Sequence, residues 1–220
     1  MVRGVSLYTS SFNIKTKTTN MNLTVSFNYT SSKHYAIDLF NEQSQAYQQD
    51  KKVEALLILI GIDTGFRVSD LLKLRFSDIQ LTDKGKPEIS GYVAKKKRTE
   101  VKPLSTTTNR LIETYNNYCI LHNGYVNDCI FFNYNNDKVY TRQWTHKRLN
   151  KANDVGLLGK KVNVAGAHSL RRTAGHNIFS KTKDLRDVQF LLGHDRMKQT
   201  EHYLKLDQTE ALDRLHRVYD

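Results

Sequence analysis

The stretch KKVEALLILIGIDTGFRVSDLLKL, residues 51–74, carries the clearest signal for a fold. Its first half has apolar residues three and four positions apart, which places them on one face of a core helix. These residues are Val53, Leu56, Leu57 and Ile60. Thr64 and Gly65 end the pattern, because glycine commonly terminates a helix. The stretch therefore predicts a core helix, a tight turn and a short second helix over RVSDLLKL.

The composition predicts a polyanionic partner. The 220 residues suffice for one domain with a sizeable core, and 34 Lys and Arg against 22 Asp and Glu give a net charge of +12. Nucleic acid is the first candidate and an anionic membrane surface the second. The longest apolar run, Ala55–Ile62, is far shorter than the span of about 20 residues that a membrane helix needs. The charge therefore favours nucleic acid.

The cysteines and the amino terminus indicate a cytoplasmic protein. Cys119 and Cys129 lack C-x-x-C spacing, so they predict neither a disulfide framework nor a zinc site. No apolar leader with a small-residue cleavage site opens the chain. We expect both cysteines to be small, half-buried apolar residues in a reducing compartment.

Two parts are predicted along the chain: an extension or linker at 1–45 and a domain at 46–220. The first 32 residues are rich in Ser, Thr and Asn, and helix-permissive sequence begins at His34. A weak period-two alternation is compatible with a strand, a tether or a disordered segment. Its positions are Leu23, Val25, Phe27 and Tyr29.

The rest of the domain predicts an α+β fold that is mostly α-helical, with one small antiparallel β-sheet. Strand-like segments PEISGYVAKK and TEVKPL flank a basic turn between Phe76 and Leu104. Helical spacing returns in TTTNRLIETYNNYCILH, TRQWTHKRLNKANDVG, HSLRRTAGHNIFS, DLRDVQFLLG and MKQTEHYLKL. Gly193 is expected to cap the fourth of these helices.

Several common sites are excluded by spacing. GLLGKK lacks the four-residue gap and the Ser or Thr of a phosphate-binding loop, and no H-E-x-x-H occurs. The later histidines lack the carboxylate and cysteine neighbours of a metal site. These are His168, His176, His194 and His202. Metal catalysis is therefore disfavoured.

Cations at predicted helix ends and turns remain. Arg67 begins a short helix, where backbone N–H groups favour an anion, although a surface arginine is the simpler interpretation. On HSLRRTAGH, a helical wheel places Arg171 about 60° from the buried face, so it requires an anionic partner. Arg172 and His176 lie about 160° from that face, so we expect Arg172 to contact solvent, a DNA backbone or a carboxylate, and His176 to be an ordinary surface residue.

The sequence resembles the catalytic domain of tyrosine recombinases, the phage integrase family. Five segments occur in that family's order over roughly residues 53–206, with Tyr203 nine residues after His194. They are TGFRVSDLLKL, KKKRTEVKPL, HSLRR, LLGHD and Tyr203 itself. The family normally carries a separate core-binding domain, and we expect no complete one before Val53, because too little helical sequence precedes it. The chain would then be a fragment, a minimal enzyme, or one whose first 50 residues have another role.

The resemblance implies a role for each matching residue. Arg67 and Arg171 would bind the non-bridging oxygens of a scissile phosphate, and Tyr203 would be the nucleophile. His194 would donate a hydrogen bond to the phosphate, and His168 would assist proton transfer. A hairpin lysine would be the general acid. Spacing from Pro103 selects Lys95, and Lys96 and Lys97 remain alternatives. Asp70 would orient neighbouring groups.

The implied activity is site-specific DNA recombination through a 3′-phosphotyrosyl intermediate, for integration or excision of a mobile element. The tyrosine ester conserves bond energy, so no cofactor and no metal is expected. The implied partners are double-stranded DNA, a homotetramer formed through the carboxy-terminal tail, and accessory DNA-bending or directionality proteins, with no membrane. The implied setting is the nucleoid of a bacterial or phage-encoded system. The alternatives are a type IB topoisomerase and a non-catalytic DNA-binding module.

Overall fold

A computed structural model of the chain describes residues 26–42, 48–154, 156, 158 and 167–204. The helices are α1 Tyr29–Asn41, α2 Gln48–Thr64, α3 Val68–Leu71, α4 Thr106–Asn123, α5 Arg142–Asp154, α6 Ala167–Thr182, α7 Leu185–Leu192 and α8 Met197–Leu204. The strands are β1 Ile79–Leu81, β2 Pro87–Val93, β3 Arg98–Pro103, β4 Phe132–Asn133 and β5 Lys138–Val139. The predicted mostly helical α+β class with a small antiparallel sheet is confirmed.

The central helix α2 is buried on nearly every side, beyond the single face that the spacing of its apolar residues predicts. It packs against α1, α4 and α6. Gly61 permits the close approach of α6, because a Cβ there would lie 2.8 Å from a methyl carbon of Leu170. Gly65, with φ of 64°, ends α2 at the predicted turn. This turn sets the direction of the chain into Arg67 and α3.

The β1–β2–β3 sheet is antiparallel, and its last hairpin carries the basic turn. Val93 pairs with Arg98, so the four residues 94–97 form the connection. Ala94–Lys96 is a single 3₁₀ turn, and Lys97 takes a left-handed conformation with φ of 52°. The hairpin therefore presents three consecutive lysines at its tip.

Helices α6, α7 and α8 form a second, smaller apolar cluster. Val188, Leu192 and Leu204 are its buried members. Gly193 ends α7 in the left-handed region, with φ of 59°, which confirms the predicted cap. The cluster therefore holds α6, the α7–α8 turn and α8 in place relative to one another.

The described end of the amino-terminal segment, from residue 26, forms a cap and a helix. Tyr29 begins α1, and Asn28 caps that helix by accepting the backbone N–H of Ser31. The alternating segment therefore does not form a strand at Tyr29. Leu23 and Val25 lie outside the described residues. Phe40 of α1 is buried in the main core. The domain boundary at residue 45 stays a prediction.

Other predictions can be compared directly. Cys119 and Cys129 are free thiols, one buried and one half-buried. Most of GLLGKK and all of the tail beyond Leu204 lie outside the described residues. Within the described ranges, no helix is both long and apolar enough to span a membrane.

Candidate active site

Arg171 lies in the protein interior, at the point where α2 and α7 end. It is 5% exposed, and its guanidinium donates to the carbonyl oxygen of Gly65 at 2.6 Å and to that of Leu192. Two backbone carbonyls are therefore its acceptors, and the anionic partner expected from the sequence stays a prediction. Burial lowers the pKa of Arg171, and the neighbouring Arg67 adds to the effect. The side chain is thus held rigidly by two helix ends.

Arg67 lies across a small cavity from His168. The cavity, of about 80 Å³, is lined by Arg67, Val68, Ser69, Arg142 and His168. Arg67 is the N-cap residue of α3, as the sequence predicts. Partial burial, followed by the charges of Arg171 and Arg67, lowers the pKa of His168. The cavity therefore combines cations with a neutral imidazole, which suits a phosphate oxygen.

Tyr203 projects from α8 towards the same cluster. Its hydroxyl donates to the backbone carbonyl of His168 at 3.3 Å. Its ring packs edge-on against the ring of His194, with 5.3 Å between the ring centres. The guanidinium carbon of Arg172 lies 5.2 Å from the tyrosine ring centre. Burial raises the pKa of Tyr203, against the opposing effects of Arg171, Arg172 and Arg67. The phenol is therefore protonated until a further group assists its ionisation.

His194 follows the Gly193 cap and is held on two sides. Its Nδ1 lies 3.0 Å from the hydroxyl of Thr200, and its carbonyl accepts from the side chain of Gln189 at 3.1 Å. Burial lowers the pKa of His194 to about 4, with Arg171, Arg67 and Lys96 adding to the effect. The imidazole is therefore neutral at pH 7, with Nδ1 engaged by Thr200.

The three hairpin lysines have different surroundings. Lys95 and Lys97 are exposed, whereas Lys96 contacts Glu100 at 3.4 Å and Asp195 at 3.1 Å. Asp70, which is buried, accepts the backbone N–H of Ala94 at 3.4 Å, just before the lysines. Lys96 therefore connects the hairpin to the residue that follows His194.

The structure brings some of the predicted site residues together and leaves Lys95 apart from them. Arg67 and His168 share one cavity, while Tyr203 contacts His168 and His194. Arg171 lies behind them, bonded to the residue that precedes the Gly193 cap. Lys95 stands apart, at the exposed tip of the hairpin. Among the residues that the structure describes, no three His, Cys, Asp or Glu side chains come together as a metal site requires.

Sequence reasoning missed Arg142, and it missed the contact that Arg172 makes. Arg142 begins α5 and lines the cavity beside His168. Arg172 lies over the ring of Tyr203 instead of reaching outward, and His176 is half-buried instead of exposed. The basic character of α5 pointed weakly to Arg142. No periodicity signals a contact between Arg172 and a residue of another helix.

Comparison with known proteins gives concordant results. The model of the phage integrase family matches residues 33–210. A probable integrase/recombinase of Bacillus subtilis (strain 168), YoeC, is 24% identical over 174 residues, which is 79% of this chain and 88% of that protein. The tyrosine recombinase XerD of Proteus mirabilis is 28% identical over 157 residues, covering 70% of this chain and 48% of XerD.

Solved structures show the same fold. The XerH site-specific recombinase bound to a palindromic difH substrate superposes with a TM-score of 0.70 at 21% identity, over 90% of this chain and 54% of XerH. A lambda integrase dimer bound to a core site gives a TM-score of 0.56 at 16% identity, over 82% of this chain and 47% of that one. The chain thus spans about half the length of XerD, XerH and lambda integrase. The match over residues 33–210 confirms the resemblance seen in the sequence, and the chain belongs to the phage integrase family of tyrosine recombinases.

Proposed function

We propose that this chain cleaves and rejoins double-stranded DNA at specific sites, with Tyr203 as the nucleophile, to integrate or excise a mobile element. The observation that carries the proposal is the placement of Tyr203, whose hydroxyl donates to the backbone carbonyl of His168, whose ring packs on the His194 imidazole, and whose pKa, raised by burial, is lowered by Arg171. A phenol packed against one neutral imidazole, with the charges of three arginines acting on it, matches the needs of phosphodiester cleavage without a metal.

Arg171 and Arg67 are the proposed phosphate ligands. A phosphodiester under in-line attack gathers negative charge on its equatorial oxygens, and preorganised cations stabilise that charge most effectively. Arg171 is preorganised by its two carbonyl acceptors. In the proposed tautomer of His194, Nδ1 accepts from the hydroxyl of Thr200, so the proton is on Nε2, which donates to the phosphate.

The proposed cleavage step includes two proton transfers, one away from the nucleophile and one to the leaving oxygen. The Tyr203 oxygen bonds to phosphorus and its proton passes towards His168, while the bond from phosphorus to the 5′ oxygen breaks. Lys95 gives a proton to the departing 5′ oxygen. Rejoining reverses these transfers, and the tyrosyl ester keeps the bond energy that it needs.

Lys95 is favoured as the general acid over its two neighbours. The ammonium of Lys96 is engaged by Glu100 and Asp195. Lys97 adopts the left-handed conformation that reverses the chain. Lys95 is exposed at the tip and immediately follows Ala94, whose N–H is held by Asp70. Lys95 therefore combines two features. The contact of Asp70 with Ala94 fixes its backbone position, and neither Glu100 nor Asp195 is shown in contact with its ammonium.

Double-stranded DNA is the proposed partner. The net charge of +12 supports it, and the XerH and lambda integrase structures are complexes with DNA. We further propose a homotetramer on paired sites, held by the tail at 207–220, with accessory DNA-bending or directionality proteins, in a bacterial nucleoid. Sedimentation that shows equal association with and without residues 207–220 would contradict the role of the tail.

The alternatives are a type IB topoisomerase and a non-catalytic DNA-binding module. The family match favours a recombinase over both. A recombinase pairs two sites, whereas such a topoisomerase relaxes DNA as a monomer. Trapping a synaptic complex that contains two DNA sites therefore separates the first alternative from recombination.

The direct test is a nicked duplex taken from the flanks of the element that encodes the chain. The nick releases a short strand after cleavage, so the covalent protein–DNA adduct accumulates. We expect an adduct from the unmutated chain and none from Tyr203→Phe, measured on denaturing gels. An unmutated chain that binds these duplexes and forms no adduct would contradict the proposal.

A further inference from the structure

A cluster of charges joins the β2–β3 hairpin to the turn between α7 and α8. Glu100 of β3 is at its centre, with its side chain 11% exposed. One carboxylate oxygen lies 3.0 Å from the ammonium of Lys102. The other lies 3.0 Å from Arg98 and 3.4 Å from Lys96. One carboxylate thus contacts three cations of its own hairpin.

Two of these cations also reach the neighbouring helices. Lys102, only 3% exposed, donates to the carbonyl oxygen of Phe190 in the last turn of α7 at 3.1 Å. Lys96 contacts the carboxylate of Asp195 at 3.1 Å. Asp195 directly follows His194 in the chain. The hairpin is therefore attached on both sides of the turn that carries His194.

Gly193 brings the Glu100 carboxylate directly onto this turn. A Cβ at position 193 would lie 2.7 Å and 2.8 Å from the two Glu100 oxygens. The glycine therefore does more than allow the left-handed cap. It leaves room for the carboxylate against the backbone that immediately precedes His194.

Pairing of the charges in the cluster offsets the cost of burying them. An unpaired buried ammonium is costly, and burial lowers the pKa of Lys102. Burial alone would raise the pKa of Glu100, but Lys102, Arg98 and Lys96 lower it to about 2. Glu100 is therefore a carboxylate at neutral pH. Because buried ion pairs contribute little net stability, the geometry that they impose is the better reason for their presence.

We propose that Glu100 is a positioning residue that holds the hairpin bearing Lys95 in register with the turn bearing His194. The inference rests on the proposed function, in which Lys95 protonates the leaving oxygen of the phosphate that His194 contacts. Lys95 itself is exposed at a hairpin tip, a place where the backbone is ordinarily mobile. Its neighbour Lys96, held by Glu100 and Asp195, restricts that motion.

The test is single-turnover cleavage by Glu100→Gln on two versions of the nicked duplex. One has the ordinary 5′ oxygen at the scissile phosphate and the other has sulfur in its place. A thiolate leaves without protonation, because thiols have a pKa of about 8.5. We expect Glu100→Gln to cleave the oxygen substrate roughly 10²-fold more slowly, as a displaced catalytic group would, and the sulfur substrate at nearly the unmutated rate.

Two controls accompany the variant. Glu88→Gln makes the same change on the adjacent strand β2, where Glu88 pairs with Pro103, and it should leave both rates unchanged. Asp195→Asn removes only the outer contact of Lys96, and it should give a smaller decrease with the same recovery on sulfur. Asp195 is 73% exposed, so this second variant tests the attachment without disturbing the interior.

The outcomes separate the inference from the function on which it rests. Equal slowing of Glu100→Gln on both substrates, or no slowing on either, overturns the positioning role. If the cleavage rate of Lys95→Ala does not recover on the sulfur substrate, the assignment of the general acid is wrong. The positioning role of Glu100 is then wrong as well. If the unmutated chain forms no tyrosyl adduct on either substrate, the proposed function itself is overturned.

Discussion

Arg171 and Lys95 are two cations proposed to act on one phosphate, and their surroundings are opposite. Arg171 is 5% exposed and is bonded to the ends of two helices. Lys95 is exposed on a four-residue hairpin connection, and its position depends on contacts of its neighbours. A phosphate ligand benefits from a fixed place, since it must meet the developing charge without reorganisation. A proton donor must instead approach the leaving oxygen and then receive its proton back.

The difference also separates stability from activity. Arg171 contributes to the fold because its removal would leave buried carbonyl oxygens without donors. Lys95 makes no such contribution, because its side chain is in solvent. Substitutions at the two positions should therefore give different combinations of lost stability and lost cleavage.

The largest expected effect is that of Arg171→Ala. Cleavage should fall by roughly 10³-fold because an oxyanion ligand is lost. The free energy of unfolding should fall by about 3 kcal/mol because the carbonyls of Gly65 and Leu192 lose their donor. Single-turnover cleavage and urea denaturation measure the two quantities. A stable variant that has lost only cleavage would show that the carbonyl contacts contribute nothing to the fold.

Lys95→Ala should reduce cleavage of the oxygen substrate by roughly 10²-fold through loss of the general acid. Its free energy of unfolding should stay within about 0.5 kcal/mol of the unmutated chain. The same urea denaturation applies, with Lys97→Ala as the matched exposed lysine. If Lys97→Ala shows the larger loss of cleavage, the register assigned to the hairpin is wrong.

Arg172→Ala should have an intermediate effect, with cleavage slower by about tenfold. The cation over the Tyr203 ring is lost, and with it one influence that lowers the pKa of the nucleophile. The rate should therefore recover partly as the pH rises. A loss as deep as that of Arg171→Ala in a folded variant would place Arg172 among the phosphate ligands.

The last expected effect leaves cleavage aside and is a pH dependence of stability. His194 has a pKa of about 4 in the folded chain, below its ordinary value of 6.5, chiefly because of burial. The unfolded chain therefore binds the proton more tightly, and stability should fall as the pH decreases from about 6.5 to about 4. Thermal melts across this range should show a smaller decrease for His194→Gln. An equal decrease in both proteins would contradict the assignment.

The helices could be predicted because a buried helix face requires apolar residues three and four positions apart in the sequence. The apolar positions predicted for α2 are buried, and the segment TTTNRLIETYNNYCILH forms α4, which buries Leu111, Ile112, Tyr115 and Cys119. Gly193 was predictable as a cap because few other residues adopt a positive φ. The short amino-terminal alternation misled at Tyr29, since a few alternating residues are compatible with several structures and the packing of α1 on α2 decided among them.

The order of the motifs was sufficient to name Arg67, Lys95, His168, Arg171, His194 and Tyr203 as candidates and to indicate the family. The contacts of these residues came only from the tertiary structure. Arg171 bonds to backbone carbonyls, which every residue possesses, so no residue type in the sequence signals that partner. Tyr203 is one of twelve tyrosines, and only the packing of α8 on α6 brings its hydroxyl to His168. Local patterns report burial and backbone conformation, whereas contacts between distant segments depend on how the whole core packs.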